Sequence, residues 1–293
     1  MSDSSWHFEA QRGFFSHDND PETWKFRAFT QPSLGLLGRS YPTDDEYWAK
    51  QGGSPGDPAH SKWPRFQHYL TYLNAKNSGQ EKYKMLYIVR HGQGVHNVVE
   101  EEVGRDEWNR YWAKVPGDDS RRWLDADLTP HGEQQATDIS SLWVPGGVDP
   151  PRSIYTSPLR RCLQTTQLGF APLIKERVPV IKERLRERLG VHTCDQRSSK
   201  TWITSTFPEF RIEDGFAEKD EFWKAEQRET IDQHAERAKE LLSDVFDNDE
   251  NQTIALVAHS GALMALFKAT GWGKIPVQAG AVYPLLVRGT RAN

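Results

Sequence analysis

Five apolar or aromatic residues without a charge, 85–89 (MLYIV), stop abruptly at Arg90-His91-Gly92. That length and composition predict a strand buried on both faces of a sheet. Polar residues directly after such a strand sit at its carboxyl end, where open α/β sheets hold their ligands. The pattern returns at 253–258 (TIALVA), which ends in His259-Ser260-Gly261 and leads into a predicted helix over 262–269. Two such strand ends, far apart in the chain, converge if the strands are sheet neighbours. Shorter apolar runs predict further strands at 153–156, 178–181 and 282–287.

Between the strands the periodicity turns helical. A helix can open at Gly94 and run to 102, its first amides facing an anion. Thr129 as cap, Pro130 at the first position and Glu133 further in mark a second helix, running to about 142. Pro158 suits the first turn of a third, which continues through 164–166 and places Arg161 near the positive end of its dipole. Residues 230–247 carry Ile231, Ala235, Ala238, Leu241, Leu242 and Val245 on one stripe of an amphipathic helix. The charged run 182–190 predicts a surface helix with paired charges, and the stretch near 191–229 an insert.

Residues 1–83 differ in texture from the rest. They are polar, aromatic and broken by Pro32, Pro42, Pro55, Pro58 and Pro64, which predicts loops with short helices, one of them over 63–75. Trp6, Phe8, Phe14, Phe15, Trp24, Phe26 and Phe29 are too many for a disordered tail. The segment is expected to pack as an extension on a main domain over 84–293, a role favoured over lidding or lining the site.

Composition narrows the class. With 37% apolar and 27% charged residues over 293 positions, the chain can bury a large core. A net charge of -4 does not indicate non-specific nucleic-acid binding, so an anionic substrate needs a locally positive pocket. Cys162 and Cys194 are the two cysteines, too few for a disulfide framework, and point to a reducing compartment. The first residues lack the apolar core of a signal peptide, and no run is long enough to span a membrane. The expected location is the cytoplasm, with the nucleus open.

The candidate chemistry gathers at the strand ends. Arg90 offers a forked, permanently charged donor set, His91 a group able to act as nucleophile or acid-base near neutral pH, and Gly92 a close backbone approach. Asn97 lies seven residues after Arg90 and can return towards the same pocket from the first helix. Arg161, at a helix start after a strand, suits a phosphate. His131 reads as structural, and His96 as packing or rim. A dinucleotide site is disfavoured because Asn97 stands where the fingerprint's third glycine belongs. A metal site on His192 and Cys194 is disfavoured for want of a second ligand pair at metal spacing.

Arg90-His91-Gly92, Thr156-Ser157-x-Leu159-x-Arg161 and Ala258-His259-Ser260-Gly261, in this order, resemble the histidine phosphatase superfamily in its phosphoglycerate mutase-like branch. Gly92-Gln93-Gly94-x-His96-Asn97, the run from Leu185-Arg186-Glu187 to Cys194-Asp195, and the aromatic N-terminal extension resemble the fungal phosphomutase-like proteins. The fold implied is α/β, three-layer α/β/α with a mainly parallel central sheet, without metal or organic cofactor. His91 resembles the nucleophile that becomes phosphohistidine. Arg90, Arg161 and His259 resemble the phosphate pocket, with Asn97, Gln93 and Ser260 as further phosphate contacts. Glu187 matches the family's acid, with Glu183 as the fallback. Cys162 stands where alanine is usual, and Gln93 where mutases commonly carry glutamate, which leans away from mutase activity.

The activity implied is metal-independent hydrolysis of a small-molecule phosphate ester through phosphohistidine. Its partner would be a small phosphorylated metabolite, with no nucleic acid and no membrane, the oligomeric state being left open. A phosphomutase, a biosynthetic phosphatase for a special phosphate or diphosphate, and a non-catalytic phosphate-binding module are the alternatives. A carboxylic acid as proton donor predicts a neutral-to-acidic optimum.

Overall fold

The computed structural model describes residues 6–18, 28–51, 62–77, 79–143 and 147–291. In chain order it runs through strand β1 (Trp6–Gln11), helices α1 (Asp44–Gln51) and α2 (Lys62–Lys76), and strand β2 (Glu81–Arg90). Helices α3 (Val95–Val103), α4 (Arg105–Arg110) and α5 (Pro130–Trp143) lead to strand β3 (Ser153–Thr156), helix α6 (Arg160–Gly169) and strand β4 (Val180–Ile181). Helix α7 (Lys200–Thr206), strand β5 (Arg211–Ile212), helix α8 (Ile231–Asn248), strand β6 (Thr253–Ala258), helix α9 (Ser260–Ala269) and strand β7 (Val282–Arg291) complete it. No helix among the described residues is long and apolar enough to cross a membrane.

The strands form one seven-stranded sheet in the order β1-β7-β2-β6-β3-β4-β5. It is mixed but mostly parallel, with β7 antiparallel to both its neighbours. Strands β2 and β6 lie side by side and parallel, with Arg90 opposite Ala258. Because they run in the same direction, the polar residues after each emerge at the same edge.

Alternation along these strands builds three layers. Leu86 and Ile88 of β2 and Ile254 and Leu256 of β6 face a core shared with Leu241, Leu242 and Val245 of α8 and Leu263 and Leu266 of α9. Met85, Tyr87 and Val89, with Ala255 and Val257, face the opposite core, which holds Trp63 and Phe66 of α2, Ile139 and Trp143 of α5, and Phe170. Each fully buried Leu, Ile or Phe contributes roughly 1.5–3 kcal/mol, so a central strand apolar on both faces anchors two cores at once.

The N-terminal segment packs on this sheet. Phe14, Phe15, Leu34, Leu36 and Tyr41 join α2 in the second core. Trp6 and Phe8 join the first, through a strand the sequence reading took for loop: β1 pairs with the outer edge of β7, Trp6 opposite Arg291. Its alternation, Trp6 and Phe8 inward with His7 and Glu9 outward, is short enough to hide among prolines and aromatics. Phe29 is 53% exposed. Trp24, Phe26, Pro55 and Pro58 lie outside the described residues.

Five further expectations need correction. The charged run 182–190 is no surface helix: one 3-10 turn at Glu183–Leu185 gives way to irregular, bent chain, and Arg186 is fully buried. Its guanidinium is drawn inside by the carboxylates of Glu183 and Asp220, at 2.8 and 2.5 Å. The strand expected over 178–181 shrinks to two residues, and Val178 is exposed. Ile231, at the first position of α8, is also exposed, so the apolar stripe begins at Ala235. Helix α6 starts at Arg160 with Leu159 as its cap, leaving Pro158 outside it. Helix α9 starts earlier than expected, at Ser260, directly behind His259.

Candidate active site

The carboxyl end of β2 presents Arg90 and His91, and backbone bonds fix the latter from two sides. His91 N donates to Ala258 O of β6 at 3.0 Å, and Gly280 N donates to His91 O at 2.9 Å. The next residue must be glycine: a Cβ on Gly92 would stand 2.2 Å from the carbonyl oxygen of Gly132, in the first turn of α5. This close approach seats α5 against the loop. His91 Nδ1 lies 2.6 Å from Gly92 O. A carbonyl oxygen only accepts, so Nδ1 carries the hydrogen and Nε2 presents its lone pair. Burial, then the charges of Arg161 and Arg90, holds the imidazole well below its ordinary pKa, so the ring is neutral.

That lone pair faces Arg161, whose Nε donates to His91 Nε2 at 3.2 Å. Arg161 comes from the first turn of α6 and is 1% exposed. Its other nitrogens are held by the insert: Nη1 donates to Cys194 O at 2.6 Å and Nη2 to Asp195 Oδ1 at 2.9 Å. Asp195 Oδ2 in turn accepts from Arg228 at 2.9 Å. Burial opposes the charge on Asp195, but Arg228 and Arg161 prevail and hold its carboxyl below the usual range. Two buried or half-buried cations thus share one buried anion, leaving a local excess of positive charge.

His259 follows β6 and is wholly buried, its ring centroid 5.1 Å from that of His91. Its Nε2 lies 2.8 Å from Ser157 Oγ and 3.3 Å from Cys162 Sγ. Cys162 donates to Ala258 O. Arg90 is 7% exposed and donates through Nη1 to Val277 O at 2.7 Å. The segment carrying Val277 is pinned by the N-terminal extension: Ala28 N donates to Pro276 O at 2.6 Å, and Gln278 N to Ala28 O at 2.8 Å.

Glu187 lies beside this group. Its Oε2 accepts from Gly261 N at 2.8 Å and its Oε1 from Arg188 N at 2.9 Å. A Cβ on Gly261 would stand 1.9 Å from Glu187 Oε1, so only glycine admits the carboxylate to the start of α9. Glu183 is elsewhere engaged, its Oε1 taking Arg186 and Arg197 at 2.8 and 3.0 Å. Gln93 and Thr129 are tied by Thr129 Oγ1 donating to Gln93 Oε1 at 2.8 Å. Asn97 Oδ1 accepts from Gly94 N at 3.0 Å, closing the cap of α3. Ser260 is exposed and directs its hydroxyl to Glu187 Oε2 at 3.4 Å. His131 is exposed, with Nε2 3.1 Å from Gln135 Nε2.

Residues 86–281 match the histidine phosphatase superfamily (branch 1). The chain is 38% identical over 286 residues to the "Probable phosphoglycerate mutase" of Arthroderma benhamiae, which spans 94% of this chain and 82% of that protein. It is 38% identical over 207 residues to "Phosphomutase-like protein 3" of Candida albicans, spanning 70% of this chain and 65% of that one. A third relative, a probable phosphoglycerate mutase of Saccharomyces cerevisiae, is 31% identical over 234 residues, covering 71% of this chain and 78% of its own.

The chain belongs to the histidine phosphatase superfamily. In this member the structure brings Arg90, His91, Arg161 and His259 together, and places Glu187 at the start of the helix behind His259. Sequence reasoning missed two supports. Asp195 was visible only as one acid in an insert, with nothing to link it to Arg161. The carbonyl of Val277 carries no sequence signal at all. His96, read as packing or rim, is 7% exposed with its ring 5.7 Å from that of His91.

His192, Cys194 and Asp195 bring ligand atoms within 4.8 Å of one another, the one such trio among the described residues. The chemistry does not suit a cation. Both Asp195 oxygens already accept from guanidiniums, and burial, then the Asp195 charge, raises the Cys194 thiol well above its ordinary value.

Proposed function

We propose that this chain hydrolyses a small-molecule phosphate monoester through a phosphohistidine on His91. The observation that carries this reading is the polarity of His91: Nδ1–H is spent on Gly92 O, and the Nε2 lone pair points at the Arg161 guanidinium. An anion entering between them would meet a nucleophile and a forked cation together. His91 Nε2 attacks phosphorus and the ester P–O bond breaks. Arg90, Arg161 and His259 hold the equatorial oxygens, with Asn97, Gln93 and Ser260 at the loop-to-helix junctions as further contacts. Glu187 gives the departing alkoxide a proton. It then takes one from a water that attacks phosphohistidine, which frees phosphate and restores His91.

A mutase is the second reading, favoured by the names of the relatives from Arthroderma benhamiae and Saccharomyces cerevisiae. It requires the phosphoryl group to return to a bound alcohol before water reaches it. Gln93 argues for the hydrolase: an uncharged amide, held by Thr129, stands at that position. The purified protein, given a panel of sugar, glycerol and nucleoside monophosphates, should release inorganic phosphate. His91→Ala should lower turnover by on the order of 10³-fold or more. Isomer formed without free phosphate would establish the mutase instead, and full activity in His91→Ala would end the phosphohistidine mechanism.

A further inference from the structure

Five histidines are buried among the described residues: His17, His91, His96, His234 and His259. Four have a polar partner. His17 reaches Pro284 O, His91 reaches Gly92 O, His259 reaches Ser157 Oγ, and His234 Nδ1 lies 4.0 Å from Glu229 Oε2. Of the five, His96 alone has a ring nitrogen, Nδ1, that is sealed from solvent with no hydrogen-bond partner among the described residues. A neutral imidazole carries one donor and one acceptor. Leaving such a group buried and unmatched costs roughly 1–3 kcal/mol, which a purely packing role would avoid with a phenylalanine or leucine.

Its surroundings show what it faces. Its ring centroid lies 5.7 Å from that of His91, and burial, then the charge of Arg161, holds it well below its ordinary pKa. The ring edge carrying Nδ1 lies over Gly94, where a Cβ would stand 2.6 Å from that nitrogen. His96 therefore stands in the first turn of α3, beside the nucleophile.

We propose that His96 is a specificity residue: its Nε2, the ring nitrogen not sealed against Gly94, hydrogen-bonds an oxygen on the leaving-group side of the substrate, next to the ester that His91 attacks. The preferred substrate is then a phosphate ester with a hydroxyl or other oxygen on the carbon beside the ester carbon, rather than a plain alkyl phosphate. This rests on the hydrolase reading above.

Glycerol 2-phosphate and isopropyl phosphate test it, because they share a secondary ester carbon and differ in the flanking hydroxyls. His96→Phe keeps an aromatic ring and loses both nitrogens. It should lower kcat/KM for glycerol 2-phosphate about tenfold or more, while changing that for isopropyl phosphate less than threefold. His96→Gln should recover part of the difference by restoring a donor. Isopropyl phosphate thus serves as the internal control for folding and for an intact His91. Equal loss on both substrates, or no loss on either, overturns the proposal and leaves the hydrolase reading standing. Hydrolysis of neither ester by a wild-type protein that hydrolyses other members of the panel overturns this proposal alone, and hydrolysis of no panel member overturns both.

Discussion

The site has two halves, built by different physics. One half hangs from β2 and β6, where His91 and His259 are each the first residue beyond a buried strand. Their positions follow from the register of two adjacent parallel strands, Arg90 opposite Ala258, and from backbone bonds such as His91 N to Ala258 O. The other half comes from residues 182–229, a region with little regular structure. It is held by buried ion pairs: Arg161 and Arg228 on Asp195, and Arg186 on Asp220 and Glu183. Strand ends place a nucleophile cheaply, because the sheet orders the backbone anyway. Fixing a guanidinium above that nucleophile needs a buried counter-charge, and here it comes from an insert far along the chain.

Three measurements would sharpen that contrast. Asp195→Ala should have the largest effect, since it strands Arg161 and Arg228 without their shared anion. A loss of about 3–5 kcal/mol in stability is expected, read by urea denaturation, together with loss of phosphate affinity. Unchanged stability would show that the insert half is not held by its charges. Gly261→Ala touches the strand-end half instead. The new Cβ, 1.9 Å from Glu187 Oε1 as placed, must push the carboxylate aside. Turnover should fall by about 10²-fold with phosphate affinity nearly kept. Full turnover would separate Glu187 from the proton transfer.

The smallest effect is on pH. His17 and His192 are both lowered from 6.5 to about 4 by burial, while His91, His96 and His259 lie well below 6.5 for the same first cause. A group depressed in the folded state binds its proton more readily in the unfolded chain. Its contribution to stability is therefore present above about 6.5 and is lost as pH falls towards 4. Asp18, raised by burial from 3.8 to about 6, works in the opposite sense, its contribution lost as pH rises through 6. With these five histidines and His234, which burial lowers from 6.5 to about 3, against it, Tm should fall between pH 7 and pH 5. A Tm that rises over this range would mean that these rings are not buried neutral in solution.

How much of this could be read beforehand depended on the range of the interaction. The strands at 153–156 and 253–258 and the start of α5 at Pro130 are written in neighbouring residues, and the structure keeps them. The run 182–190 was misread because its alternating charges look like a helix surface, whereas Arg186 finds Asp220, 34 residues away, and is buried by it. Strand β1 was missed because its partner, β7, lies at the other end of the chain.

By itself the sequence determined which segments must be buried and that a histidine follows the apolar runs 85–89 and 253–258, because burial is driven by side-chain composition and local periodicity. Only the tertiary structure decided that Asp195 neutralises Arg161, that Val277 takes Arg90 under the grip of Ala28, and that His96 faces the nucleophile. Those pairings lower the energy only once the sheet has brought distant residues within about 3 Å, the reach of a hydrogen bond, and no local pattern encodes a partner that far along the chain.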